Sequence, residues 1–228
     1  AIGAMSFNFA EIYRSTRLGL LTLAAELSDA EWMTLAPATP EWTVKDLYGH
    51  LTGVATDLLA GNLEIVGSDE WTARQVADRA DNSPQEVCAE WKAVGPEVEE
   101  RLVAVGSPLS SAVIDLWHHE QDVRNAVDHT ANRSGEGLRL SLRAGNPIGP
   151  KMEQAGLAAL HLHTEDYDRD FGMGAAEVTV SGNPYEMARA FMGRRSFQQI
   201  RRFDWTGDPE PYLPIFSIFP PRSDELVE

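Results

Sequence analysis

Cysteine is nearly absent from this chain. Cys88 stands alone, so no internal disulfide can form and no cysteine-built zinc site is available. Long hydrophobic runs are missing too. Nothing approaches the roughly 18 consecutive apolar residues of a membrane span, and nothing at the start resembles a signal peptide. Basic residues are few, with 19 Lys+Arg against 35 Asp+Glu and a formal charge of −16. A surface that acidic repels phosphate backbones and anionic lipid, which argues against nucleic-acid and membrane partners. No internal repeat or low-complexity tract is visible. These absences point to a soluble, cytoplasmic protein whose partner is a small molecule. Ala1-Ile2-Gly3-Ala4 before Met5 read as a cloning remnant outside the fold.

The 228 residues, 43% of them hydrophobic and 24% charged, suffice for one large domain or two modest ones. A chain this long buries about 70–75% of its unfolded surface and needs no covalent staple. Leu18, Leu20, Leu21, Leu23, Ala24 and Leu27 recur at helical spacing within a first helix over 7–27, broken by Ser28-Asp29, Pro37 and Pro40. Thr43-Val44-Lys45-Asp46 is a capping box that predicts a second helix to about Val66. Ser83-Pro84-Gln85-Glu86 predicts a third to about Val105, with a kink or break at Gly95-Pro96. Ser107-Pro108 opens a fourth to about Asp128, and residues 67–82 form a partly helical connection. Four such helices form a bundle.

Residues 131–150, rich in glycine and proline, read as a crossover or linker. Beyond it the pattern is mixed. A helix is expected from Met152 to about Leu162, a strand over Glu177–Val180, a helix over Tyr185–Met192 and an extended segment over Leu213–Phe219. The resulting fold class is α+β, with a four-helix bundle over 5–145 and a small α+β domain over 146–228.

The six histidines are scarce enough to follow singly. The fourth helix holds Asp115-Leu116-Trp117-His118-His119-Glu120-Gln121-Asp122. Asp115 and His119 are four apart, which places their Cβ atoms about 5–6 Å from each other on one face. His118 and Asp122 compete with the same spacing. On a helical wheel Ala112, Val113, Leu116, Val123, Ala126 and Val127 mark the apolar side. His119 falls on its edge, whereas His118 points away and is expected to face solvent. In the second helix Val44, Leu47, Leu51, Val54 and Leu58 form the apolar face, with His50 on its flank. Two bundle helices thus each bring an imidazole to the margin of the core. Two nitrogens and one carboxylate suit zinc or another first-row divalent ion with open positions for water or substrate. The same pattern also fits hydrogen-bonded core histidines, and both readings stay open on spacing alone.

At these residues the chain resembles a known family. Pro40 to Leu51 (PEWTVKDLYGHL) is similar to the start of the second helix in mycothiol-dependent maleylpyruvate isomerases, which belong to the DinB-like metalloenzymes. Asp115 to Asp122 resembles that family's E-x-W-x-H-x-x-D motif. Val180-Ser181-Gly182 through Phe191-Met192-Gly193-Arg194 resembles a segment of its small C-terminal domain. The resemblance runs from about residue 10 to 210. It implies that His50, Asp115 and His119 are metal ligands, that Asp122 is the motif's trailing aspartate, and that Arg194 corresponds to an arginine implicated in activity. The family's carboxylate ligand is glutamate, so Asp115 is one methylene shorter.

What the family implies is thiol chemistry at a divalent metal, zinc foremost. A low-molecular-weight thiol such as mycothiol would serve as cofactor for isomerisation or S-conjugation. Cys88, expected within a helix away from both ligand motifs, fits a packed small hydrophobe better than a nucleophile. Arg194 and Arg195 are candidates to clamp a substrate carboxylate, or else to satisfy the last carbonyls of a helix. His161 and His163 alternate as on a strand and are expected at a surface. His129 is expected to cap the fourth helix, and Trp42 to pack at the start of the second. A thiol-independent hydrolase or lyase and a non-catalytic ligand-binding bundle remain as alternatives, since one fold hosts many activities.

Overall fold

The computed structural model describes residues 6–165 and 167–228, so the expected remnant at 1–4 lies outside the described residues. Contacts between Cα atoms divide the chain into Ala1–Asn132 and Arg133–Glu228.

In the first unit the caps start the helices where the sequence places them. The Thr43 hydroxyl accepts from the Asp46 amide at 3.2 Å while the Asp46 carboxylate accepts from the Thr43 amide at 2.9 Å. Ser83 and Glu86 repeat the exchange. The helices are α1 (Phe9–Ala24), α2 (Asp29–Trp32), α3 (Val44–Ala60), α4 (Asp69–Ala77), α5 (Pro84–Val105) and α6 (Ser110–Ala126), the last preceded by a 3-10 turn at Ser107–Leu109. Between α2 and α3 a two-stranded antiparallel ribbon, β1 (Leu35–Ala36) and β2 (Thr39–Thr43), carries Trp42. α3 ends before the expected Val66 because Gly61 adopts φ +78° and closes it.

The four long helices form a ring in which α1 packs on α5, α5 on α3, α3 on α6 and α6 on α1. Leu20, Leu47, Tyr48, Trp91, Leu102 and Leu116 fill its centre. Tyr48 donates from its hydroxyl to the Leu20 carbonyl at 2.7 Å, and the Trp91 indole donates to the Tyr13 hydroxyl at 3.1 Å.

Of the kink or break expected at Gly95-Pro96, the break does not occur; α5 runs through both residues. A proline inside a helix costs about 3 kcal/mol, but Trp91, Val98 and Leu102 are all buried and anchor both flanks. Gly95 has a packing role, since a Cβ there would come within 2.4 Å of the Arg17 guanidinium, which pairs with Glu99.

The second unit holds α7 (Gly135–Ser141), a 3-10 turn (Leu142–Gly145), α8 (Ile148–Ala155), β3 (Leu160–Thr164), β4 (Tyr167–Phe171), β5 (Val178–Ser181), α9 (Pro184–Phe191), α10 (Phe197–Arg201) and β6 (Asp204–Trp205). The sheet order is β4-β3-β5-β6; β3 runs antiparallel to β4 and parallel to β5, and β6 runs antiparallel to β5. Leu160, Leu162 and Val180 point inward, and Phe191, Phe203, Trp205 and Phe216 form an aromatic cluster.

Bundle and α+β unit agree with the expected fold class. The division between Asn132 and Arg133 lies before the expected 145/146 boundary, and 131–150 is mostly helical where a linker was expected. Its glycines permit packing: a Cβ on Gly145 would meet the Phe191 ring at 2.9 Å. The helix expected to reach Leu162 stops at Ala155 against left-handed Gly156, and Leu213–Ile215 is a 3-10 turn where extended chain was expected.

Candidate functional site

α3 and α6 pack against each other and bring His50, Asp115 and His119 together, with one potential ligand atom from each within 4.8 Å of the others. Asp115 reaches both histidines despite its short side chain. Its Oδ2 lies 3.2 Å from His50 Nε2 and its Oδ1 lies 3.4 Å from His119 Nε2. The two imidazole rings meet nearly edge to face, with centroids 4.9 Å apart.

The far nitrogen of each ring is already occupied. His50 Nδ1 is 2.8 Å from Gln75 Oε1 on α4. The Gln75 amide nitrogen donates to Asp57 Oδ2 at 2.6 Å, which turns its oxygen toward His50. That oxygen only accepts, so His50 Nδ1 carries the proton and Nε2 presents a lone pair. His119 Nδ1 is 2.9 Å from Oδ2 of the fully buried Asp122, and the same logic points its Nε2 into the site. In their neutral forms the two rings therefore turn lone-pair nitrogens toward a carboxylate. Acceptors facing acceptors in a buried place require a cation or protons between them. Ligating histidines commonly have this second hydrogen bond, which fixes tautomer and ring orientation.

Electrostatics agrees. Burial alone would pull His119 downward, but the Asp115 charge and its hydrogen bond, followed by Asp122, outweigh it and lift the imidazole to about 9. Burial would raise Asp115; the charges and hydrogen bonds of His119 and then His50 hold it well below the carboxylate range. In the absence of an ion, the raised His119 holds a proton toward the Asp115 carboxylate.

Aromatic rings wall the site. The Trp42 centroid is 5.1 Å from that of His50 and 6.0 Å from that of His119, and Trp71 stands edge-on to His50 at 6.4 Å. Asp115, with its side chain 31% exposed, is the accessible member.

Several residues differ from their expected places. His118 is fully buried, edge-on to Trp117, where the wheel put it in solvent. Chain returning after α6 runs beside this stretch of the helix: the Trp117 indole donates to the Asn132 carbonyl, and the Gln121 amide to the Ala131 carbonyl. Arg124 pairs with Glu120, leaving Asp122 to His119. At the end of α6 it is the backbone amide of His129 that closes the helix, donating to the Arg124 carbonyl; its side chain lies 3.9 Å from Glu26. Arg194 is nearly buried, and its guanidinium donates to the Met192 carbonyl at the end of α9. Arg195 is committed to Glu186 and Glu228. Gln75, Asp57 and Trp71 were not anticipated; nothing in the spacing ties a glutamine in the 67–82 connection to a histidine one helix earlier.

Bundle and site together define a DinB-like helical-bundle protein with a candidate divalent-metal centre. Residues 14–147 match the family model for the mycothiol maleylpyruvate isomerase N-terminal domain, and the chain belongs to that family. Comparison with curated proteins finds no match. Among solved structures, one of the mycothiol-dependent maleylpyruvate isomerase is similar at a TM-score of 0.55 and 19% identity, over 89% of this chain and 94% of that one. A histidine-to-alanine mutant of the mycothiol-dependent maleylpyruvate isomerase is similar at 0.52 and 17%, with the same coverage. At these identities the likeness shows the fold.

Proposed function

We propose that this protein is a metal-dependent enzyme using a low-molecular-weight thiol, mycothiol or a close equivalent, to isomerise or conjugate a small activated substrate that carries a carboxylate. One observation carries the metal part: Gln75 and Asp122 occupy both Nδ1 atoms, so both Nε2 atoms and the Asp115 carboxylate are left facing one another. Two imidazoles and one carboxylate fit zinc with open positions. When bound, the ion would supply positive charge that lowers the pKa of a thiol at an open position, making a thiolate nucleophile available near neutral pH.

The chain's own residues do the rest. His50, Asp115 and His119 hold the ion, Gln75 and Asp122 orient the imidazoles, and Trp42 and Trp71 limit water around them. Arg194 is the proposed partner of a carboxylate, exchanging its contact with the Met192 carbonyl for a charge-assisted one. The protein's own thiol is a poor substitute: burial pushes Cys88 up to about 11, so it stays protonated at neutral pH. Family membership supports the thiol reading.

The test is turnover of maleylpyruvate and other activated alkenes by zinc-loaded protein, with and without mycothiol. The proposal expects activity that requires both. Turnover that persists without thiol would contradict the thiol part and favour metal-dependent hydrolysis or elimination.

A further inference from the structure

We propose that the exposed face of the second unit's sheet carries a separate zinc-type divalent-metal site, formed by His161, His163 and Asp168 and oriented by Asp170. Strand alternation builds it. In β3 Leu160, Leu162 and Thr164 are buried, which turns His161 and His163 outward. In β4 Tyr167 and Phe171 are buried, which turns Asp168 and Asp170 to the same side. The antiparallel register sets His161 opposite Asp170 and His163 opposite Asp168. On the other flank the parallel register sets Thr179 and Ser181 beside the histidines.

Ordinary cross-strand ion pairs would leave each histidine with its own aspartate. Here one carboxylate oxygen serves both rings. Asp168 Oδ1 is 2.6 Å from His163 Nδ1 and 3.4 Å from His161 Nε2. His161 Nδ1 is meanwhile held by Asp170 Oδ1 at 2.7 Å, which keeps the proton on that nitrogen and aims the Nε2 lone pair at Asp168. The rings are nearly parallel, 18° apart, with centroids separated by 6.4 Å. One ligand atom from each of the three residues lies within 4.8 Å of the others. Donors around tetrahedral zinc stand about 3.3 Å apart, given bonds of about 2.0–2.1 Å. The Asp168 oxygen lies 2.6 and 3.4 Å from the two ring nitrogens, and those nitrogens lie within 4.8 Å of each other, so side-chain rotation on the two-strand frame can bring all three donors onto one ion. Three protein ligands on an open face leave a position for water or for a donor from another molecule.

The experiment is a calorimetric zinc titration of the untagged, metal-stripped full chain and its variants. Wild type should bind one equivalent more than His163→Gln or His161→Gln, both surface replacements whose circular dichroism should match wild type. Should one variant unfold, the other decides. Asp170→Asn should keep that equivalent and weaken it by about tenfold or more, as loss of an orienting partner does. His119→Ala should retain the sheet equivalent, so failure of the bundle site leaves one equivalent in wild type and none in His163→Gln. Equal stoichiometry in wild type and both histidine variants would overturn the proposal.

Discussion

The two histidine clusters of this chain use the same donors, two imidazoles and an aspartate, in opposite surroundings. In the bundle the side chains of His50 and His119 are 2% and 9% exposed; on the sheet those of His161 and His163 are 35% and 56% exposed. Burial changes what an unfilled cluster costs. Facing acceptors in a low-dielectric core are expensive to leave uncompensated, whereas water solvates them on a sheet face. The bundle accordingly spends further residues on the arrangement, with Gln75, Asp57 and Asp122 fixing ring orientation and two tryptophans closing the sides. The sheet cluster relies on strand register and the single Asp170 contact. Preorganisation of this kind predicts a tight bundle site and a weak, quickly exchanging sheet site.

Removing a proposed bundle ligand should have the largest effect. His50→Ala or His119→Ala should lower kcat/KM for thiol-dependent turnover by about a thousandfold, the equivalent of several kcal/mol of lost charge stabilisation. His163→Gln should leave kcat/KM unchanged. Next in size, Asp122→Asn and Gln75→Leu should each weaken zinc binding at the bundle by about 10–100-fold, read by competition with a chromogenic chelator, without altering the sheet equivalent.

The pH response is smaller and its sign follows from His119. Its folded value of about 9 lies above the ordinary 6.5, so in metal-free protein the pairing stabilises the fold below the unfolded value. That contribution is lost as pH rises through about 9. Zinc needs the neutral ring, so proton and ion compete, and bundle affinity should rise from pH 6.5 toward 9 by at most about tenfold per pH unit for one proton. Calorimetry in buffers of different ionisation enthalpy would count the proton released. The smallest expected effect is at Cys88. Cys88→Ala should leave thiol-dependent activity at the wild-type level, and the native thiol should react with Ellman's reagent at pH 8 far more slowly than free cysteine, because burial holds it protonated.

Local signals account for most of what could be read in advance. The reciprocal capping pairs Thr43–Asp46 and Ser83–Glu86 are complete within four residues, and both helices start there. The i,i+4 spacing of Asp115 and His119 likewise needs only helix geometry. What escaped depends on distant chain. His118 is buried edge-on to Trp117, and its neighbours Trp117 and Gln121 bond residues 131 and 132, a stretch of chain that no wheel contains. Gln75 reaches His50 only through packing of α4 on α3. β4 was hidden by Arg169, which occupies an inward position between Tyr167 and Phe171, places its guanidinium 5.3 Å from the Phe171 ring centre, and bonds Asn146. A charge at that place masks the alternation that marks a half-buried strand.

Elemental analysis of the untagged protein as purified, set beside His119→Ala, reads the occupancy of the bundle site directly. Wild type should carry about one tightly held equivalent of zinc or a similar divalent ion that survives dialysis against a weak chelator. The variant should lose it while remaining folded. A wild type that is metal-free and cannot be loaded with zinc at His50, Asp115 and His119 would rule out a metal centre in the bundle.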